Sequence, residues 1–216
     1  TADVKWHGPR THFGHLLRNS GMTSSVRALQ VNIAGRIPTD FLRSCINLQN
    51  VTLGTGVTAI GANAFRGCGE LATLELPQSV TAIESYAFYT CYKLTGLVLP
   101  PSVTEIQSYA FNNAPLALAY LPPTVETLGT ASVSYMTSLL TARVRTSILN
   151  SAEFSGCTSL EYVILHEVMS SIPSNAFSNT PNLVRVCIPD ECDGGLCNVC
   201  DKCEVCASPP VSPPPP

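Results

Sequence analysis

The sequence predicts a right-handed solenoid of short parallel strands. Aligned on the first apolar residue, seven copies of one pattern fill residues 26–182, and successive copies start 22, 23, 23, 22, 23, 21 and 23 residues apart. The copies start at Val26, Leu48, Leu71, Leu94, Leu116, Leu139 and Leu160, and a partial eighth starts at Leu183. A fixed period of this length is typical of coils that bury their apolar faces only against their neighbours. Such a chain offers surface rather than a pocket, so we expect binding or assembly rather than chemistry.

Each copy opens with a short strand. In the third copy, Leu74 and Leu76 have the period of two that indicates a strand with one buried face. Pro77 ends this strand because it has no N–H for the ladder. Further apolar residues then turn inward: Val80, Ile83, Ala87, Phe88 and Cys91. We therefore predict one parallel strand per coil, opposite a convex side that is irregular or carries only short strands.

Phenylalanine marks one column of the predicted core. Six of the seven phenylalanines align: Phe41, Phe65, Phe88, Phe111, Phe154 and Phe177. Stacked rings bury a large area and hold one another's rotamers, which favours a core spine. Neighbouring coils should lie ~4.8 Å apart, which is the spacing of strands in a sheet.

The full pattern, L-x-x-L-x-L-P-x-S-V-T-x-I-x-x-x-A-F-x-x-C, is nearly complete at 71–91 and 94–111. It resembles the BspA-like, or Treponema-type, leucine-rich repeats over about three quarters of the chain. The resemblance implies a leucine-rich-repeat solenoid and a secreted or surface-displayed protein that acts in adhesion and recognition. Val133 and Met136 depart from the pattern, and the copy at Leu139 is two residues short and lacks the proline. These two copies should form the least regular coils and could mark a bend or a contact.

The chain divides into four regions. We assign residues 1–25 to an N-terminal cap, 26–189 to the solenoid, 190–206 to a Cys-rich cap and 207–216 to a proline-rich tail. Charged residues make up 12% and the net charge is −3, so neither nucleic acid nor an anionic membrane is an expected partner. No apolar run approaches the ~20 residues of a transmembrane segment. The sequence starts at Thr1 without a leader, so we expect either a removed signal peptide or a longer parent chain.

The ten cysteines fall into two groups. Cys45, Cys68, Cys91 and Cys157 share one column of the repeat, where a buried small apolar residue is expected. Ala114 and Thr180 occupy the same column, so the position does not require sulfur. A disulfide between adjacent coils would need a Cα separation of ~4.4–6.8 Å.

The second group lies at the end of the repeats: Cys187, Cys192, Cys197, Cys200, Cys203 and Cys206. An exposed solenoid end needs a cap, and a segment with few apolar residues is usually stabilised by disulfides. We predict three disulfides, for which six cysteines allow 15 pairings. A zinc site and an iron–sulfur cluster are the alternatives for the C-x-x-C spacing.

The tail and one sequon predict glycosylation. Residues 207–216 read A-S-P-P-V-S-P-P-P-P and should be polyproline II. They resemble modules of hydroxyproline-rich glycoproteins, which implies hydroxylation and O-linked sugars. The residues concerned are Ser208, Pro209, Pro210, Ser212, Pro213, Pro214, Pro215 and Pro216. Asn50-Val51-Thr52 is a sequon, and Asn50 should face solvent because Val51 faces inward.

No motif for catalysis stands out. The sequence has no G-x-S-x-G, phosphate loop or H-E-x-x-H, and we expect neither an enzyme nor a bound cofactor. His7, His12 and His15 are interpreted as part of the N-terminal cap rather than as metal ligands. The acidic turn at 190–193 lacks the 12-residue logic of a calcium loop.

These observations favour a non-catalytic extracellular structural or adhesive glycoprotein, with itself or other matrix or surface glycoproteins as partners. Residues 1–25 carry a net charge of 3 − 1 = +2 and residues 183–208 carry 2 − 5 = −3, which suits head-to-tail assembly into a fibre or matrix. One alternative is a recognition ectodomain that binds protein or glycan on outward strand positions. These positions include Thr73, Glu75, Gly96, Val98 and Tyr162. The other alternative is a metal or redox protein that uses the C-terminal C-x-x-C cluster.

Overall fold

The computed structural model describes residues 3–6, 25–118, 121–145, 148–165 and 171–187. These residues form a solenoid of about seven turns, as the repeat predicts, and the coils are joined by parallel strands. The strands are β1 (Asp3–Trp6), β2 (Ala28–Val31), β3 (Gly35–Ile37), β4 (Asn50–Leu53), β5 (Val57–Ile60), β6 (Thr73–Glu75), β7 (Ala82–Ile83), β8 (Gly96–Val98), β9 (Glu105–Ile106), β10 (Thr127–Leu128), β11 (Thr141–Arg143), β12 (Tyr162–Ile164) and β13 (Arg185–Cys187).

The strands build three parallel sheets. Sheet 1 has the order β1-β2-β4-β6-β8, sheet 2 has the order β3-β5-β7-β9-β10, and sheet 3 has the order β11-β12-β13. Sheets 1 and 3 contain the strand that opens each repeat, whereas sheet 2 contains the shorter second strand. The prediction of one opening strand per coil opposite short strands is confirmed for most coils.

The core follows from the register of the strands. Leu29, Val51, Leu74 and Leu97 pair in sequence across β2, β4, β6 and β8, and all are buried. Because strand residues alternate between the two faces, this register places every second side chain of β2, β4, β6 and β8 inside and the others on the outer face. Each coil buries its apolar residues against the coils before and after it.

The phenylalanine column is confirmed with one correction. The rings of Phe65 and Phe88 stack at 5.2 Å between centroids, and those of Phe88 and Phe111 stack at 5.3 Å. In the first coil, however, Leu42 takes this position, and Phe41 lies one place earlier. The Leu42 amide donates to Ala64 O, as the Phe65 amide donates to Ala87 O. Both Phe41 and Leu42 are buried. The repeat alignment chose Phe41 because the other copies have phenylalanine, although Leu42 holds the equivalent position.

The two copies that depart most from the repeat are only partly described, because residues 119–120 and 146–147 lie outside the described residues. Their lower regularity therefore stays a prediction. Among the described residues, sheet 1 ends at β8, sheet 2 ends at β10, and sheet 3 begins at β11. Val133 and Met136 keep the Phe and Cys positions and are fully buried, so the core continues through the fifth coil.

Two positions of the repeat adopt positive φ, both of them in the first six turns and the second also in the seventh. The first column contains Asp40, Asn63, Tyr86, Tyr109, Ala131 and Ala152, and the second contains Ser44, Gly67, Thr90, Asn113, Tyr135, Gly156 and Asn179. This backbone directs amides to the next coil, for example from Asn63 to Ser85 O and from Tyr86 to Ser108 O. We call residues 40–44, 63–67, 86–90 and 109–113 the turn wall.

Candidate functional site

The outward positions of the opening strands form the broadest exposed surface. Thr73, Glu75 and Gly96 are exposed, as are Val98 and Tyr162, whose exposed fractions are 69% and 42%. The sequence-based assignment of these five residues to the solvent face is confirmed. They fall into two groups, because Tyr162 lies on sheet 3 and the other four lie on sheet 1.

Sheet 3 carries a tyrosine among arginines. Tyr162 lies in register between Thr141 on β11 and Arg185 on β13. Arg143 lies two residues along β11 on the same face, and Arg145 follows it and donates to Pro123 O at 3.2 Å. The described residues provide no ion-pair partner for the three arginines. This arrangement is suited to an anionic partner, since planar guanidinium groups hydrogen-bond carboxylate and sulfate oxygens and stack beside aromatic rings.

Sequence reasoning identified Tyr162 but missed its arginines. The signal was present in the alternation T-A-R-V-R at 141–145, where Ala142 and Val144 are buried and Arg143 and Arg145 are exposed. Because the coils differ in length, the repeat pattern alone did not place Arg185 beside Tyr162. The pairing of β12 with β13 shows that the two residues are neighbours.

Sheet 1 presents a different chemistry. Its outward residues are small and polar around Asn50, which is exposed and accepts a hydrogen bond from Thr73 Oγ1 at 3.2 Å. The expected orientation of the sequon is therefore confirmed, whereas glycosylation of Asn50 stays a prediction.

The repeat cysteines are structural. Cys45, Cys68, Cys91 and Cys157 are buried free thiols, as predicted. The thiol of Cys68 donates to Leu42 O, and that of Cys91 donates to Phe65 O, both at 3.1 Å. Burial raises the pKa of Cys91 to about 12 and that of Cys68 well above its usual value. These thiols therefore stay protonated and link neighbouring coils.

Several predicted sites lie outside the residues that the structure describes. Cys187 ends β13, and only its backbone is described. The five remaining C-terminal cysteines, the tail and the three N-terminal histidines lie outside the described residues. The disulfides and the hydroxylated or O-glycosylated tail stay predictions. Among the described residues, no three His, Cys, Asp or Glu side chains are grouped to hold a metal ion.

One buried acid was missed by sequence reasoning. Glu153 is fully buried and occupies the position that Ala64 and Ala87 fill in regular coils. Ser132 Oγ donates to Glu153 Oε1 at 2.5 Å, whereas Glu153 Oε2 has no hydrogen-bond partner. Burial raises the pKa of this carboxyl to about 8, although hydrogen bonds from Ser132 oppose the shift. The sequence did contain a signal for this buried acid, because Glu153 occupies a repeat position where regular coils have alanine.

Comparison with known families agrees with this architecture. The family described as "BspA type Leucine rich repeat region" matches residues 29–140 and 135–194, with six copies. The chain belongs to the BspA-type leucine-rich repeat family. No curated protein sequence matches the chain significantly.

Two solved structures resemble this BspA-type chain. A leucine-rich repeat protein from Bacteroides ovatus has 22% identity and a TM-score of 0.59, covering 74% of this chain and 46% of that protein. The T. pallidum leucine-rich repeat protein has 27% identity and a TM-score of 0.55, covering 64% of this chain and 69% of that protein. The chain thus spans less than half the length of the B. ovatus protein. No helix in the described ranges has the length and apolarity to cross a bilayer.

Proposed function

We propose that this chain is a non-catalytic extracellular adhesion and recognition protein that binds an anionic partner on the outward face of sheet 3. The row formed by Thr141, Tyr162 and Arg185 carries the proposal. Beside this row, Arg143 and Arg145 add positive charge that the described residues do not neutralise by ion pairs. An aromatic ring among arginines is the combination enriched at binding hot spots.

The charge pattern supports this face over sheet 1. Glu161, which precedes Tyr162, is an exposed acid near Arg143 and Arg185 of sheet 3, whereas Glu75 lies among small neutral residues on sheet 1. The overall net charge of −3 makes a local basic face more selective, because general attraction to polyanions is weak. The family assignment and the exposed Asn50 sequon support an extracellular location.

Assembly into a surface fibre is a second version of the same role. It depends on the opposite charges of residues 1–25 and 183–208, most of which lie outside the described residues. In this version, the acidic end of one copy meets the basic end of the next, and the proline-rich tail carries sugars. Filaments that persist unchanged in molar salt would exclude this charge pairing.

Binding to dextran sulfate, with neutral dextran for comparison, tests the sheet 3 proposal. The double variant Arg143→Glu and Arg185→Glu should weaken binding by about tenfold or more, equivalent to about 1.4 kcal/mol. Each single variant, Arg143→Glu or Arg185→Glu, has Arg27→Glu as its matched control, because it makes the same charge change at an exposed arginine outside sheet 3. Equal losses in both proteins would mean that net charge rather than this face controls binding.

A further inference from the structure

The turn wall repeats one side-chain pair in successive coils. In the first coil, Arg43 Nη1 lies 3.3 Å from Asp40 Oδ1 in an ion pair. In the second coil, the same separation of three residues brings Arg66 Nη1 to 3.3 Å from Asn63 Oδ1. An amide therefore stands where the first coil has a carboxylate, and the charge of Arg66 has no ion-pair partner among the described residues.

Arg66 is held by aromatic rings of the third coil. Its guanidinium carbon lies 5.4 Å from the ring centroid of Tyr86 and 5.2 Å from that of Tyr89. Tyr86 also stacks on Tyr109 of the fourth coil, with centroids 4.9 Å apart and planes 10° from parallel. Cation–π contacts of this kind fix the guanidinium and leave its outer N–H groups available.

The backbone does not account for these tyrosines. Tyr86 and Tyr109 both have φ of 59°, in a column where Asp40 and Asn63 precede them. Asn and Asp tolerate this region better than bulky residues. Two tyrosines at successive strained positions indicate that the side chains have a role of their own.

The cluster exposes hydrogen-bonding groups to solvent. Tyr109 and Arg66 cover Tyr86, and Arg66 also covers Tyr89. The hydroxyls of Tyr86, Tyr89 and Tyr109 form no hydrogen bond in the described structure, and none is a buried orphan. Phenol O–H and guanidinium N–H donors on three successive coils are therefore exposed to solvent.

We propose that this part of the turn wall is a second binding site, separate from sheet 3, for the acidic groups of an anionic polysaccharide. Arg66 binds a carboxylate or sulfate, and the phenol hydroxyls exchange hydrogen bonds with neighbouring sugar hydroxyls. A linear polymer fits because the donors follow one another along the solenoid axis, one coil at a time. Sugar hydroxyls match the phenol hydroxyls because both groups donate and accept hydrogen bonds.

This site does not depend on the proposed function of sheet 3. If both the turn wall and sheet 3 bind, one molecule can link two polymer chains. It would then cross-link an acidic matrix. Linking requires both sites, whereas binding requires only one.

The decisive variant is Asn63→Asp in the full chain. It copies the Asp40–Arg43 pair of the first coil, so it neutralises Arg66 without removing a donor. In a chain that also carries Arg143→Glu and Arg185→Glu, so that sheet 3 does not contribute, we expect about tenfold weaker binding in calorimetry with polygalacturonate for carboxylates and dextran sulfate for sulfates. Arg66→Gln should have the same effect. Asp40→Asn, which frees Arg43 in the same way, should strengthen binding, and circular dichroism confirms that each variant is folded.

Asn32→Asp provides a matched control for Asn63→Asp, because it makes the same charge change at an exposed residue outside the turn wall. The assignment is overturned if Asn63→Asp and Arg66→Gln bind like the parent, or if neutral dextran binds equally well. Binding to polyglutamate but to neither polysaccharide would instead assign the site to acidic peptides. Variants of the turn wall and variants of sheet 3 should each abolish polymer cross-linking, which is measured as turbidity. Sheet 3 variants should leave the effect of Asn63→Asp on affinity unchanged.

Discussion

Glu153 is the residue that fits its repeat position least. It replaces the alanine of regular coils and lies fully buried, with Oε2 unpartnered. A buried charge without a partner is strongly unfavourable, so the carboxyl stays protonated at neutral pH. Its pKa is about 8 in the folded protein and near 4.5 without burial.

Replacing Glu153 should therefore remove a pH-dependent loss of stability. Between about pH 4.5 and 8 the folded chain keeps a proton that the unfolded chain releases, so the free energy of unfolding falls as pH rises through this window. Above pH 8 the full difference, about 3–5 kcal/mol, is present. Glu153→Ala should be more stable than the parent by an amount that grows from pH 4 to 9 in urea titrations. Glu153→Gln is the control, since it keeps the volume but cannot ionise, and pH profiles parallel to the parent's would contradict this account.

The repeat thiols give a second prediction for single residues. Burial raises the pKa of Cys91 and Cys157 to about 12, so almost no reactive thiolate is present near neutral pH. Both should resist alkylation in the folded protein and react fully in denaturant, which mass spectrometry after iodoacetamide treatment would measure. Modification of either residue at the rate of a free thiol in native buffer would show that the column opens.

At the scale of the structural element, the stacked phenylalanines should be unequal in energy. Phe88 stacks between Phe65 and Phe111 and is fully buried, whereas Phe177 stacks on Phe154 and is partly exposed. Phe88→Ala should cost about 3–5 kcal/mol of unfolding free energy, and Phe177→Ala about half of that. Phe88→Leu is the matched control and should cost under about 1.5 kcal/mol, because Leu42 already fills this position in the first coil. Equal losses for the two alanine variants would exclude the stacked spine as the main source of stability.

The repeat pattern predicted the coils well because the residues that recur as apolar in the sequence are those that the coils bury. It placed Cys68 and Cys91 in the core and Val98 in solvent, as the structure has them. The one-residue shift at Phe41 escaped because two apolar neighbours are interchangeable in a pattern, whereas hydrogen-bond register distinguishes them.

The candidate sites were harder to predict because they depend on contacts between coils. Tyr162 was found from alternation alone, but its neighbour Arg185 became visible only through the pairing of β12 with β13. The contact of Arg66 with Tyr86 and Tyr89 depends on the direction in which a long side chain leans, which repeat spacing does not encode.

At the scale of the whole molecule, the C-terminal end of the described solenoid should be its least stable part. The stability of a repeat protein is approximately a sum of terms from each coil and from each interface between neighbours. The last described coils bury their apolar side chains less completely than the middle coils, because Ile172, Phe177, Leu183 and Val186 are only partly buried.

We therefore expect sheet 3 to open before sheet 1. In native-state hydrogen exchange, backbone amides of β12 should open at a free energy about 1–2 kcal/mol below those of β4 and β6. Binding provides an independent readout, because low denaturant should abolish the contribution of Arg143 and Arg185 to dextran sulfate binding while the effect of Asn63→Asp persists. Identical exchange of β4, β6 and β12 at every denaturant concentration would mean that the solenoid opens as a single cooperative unit.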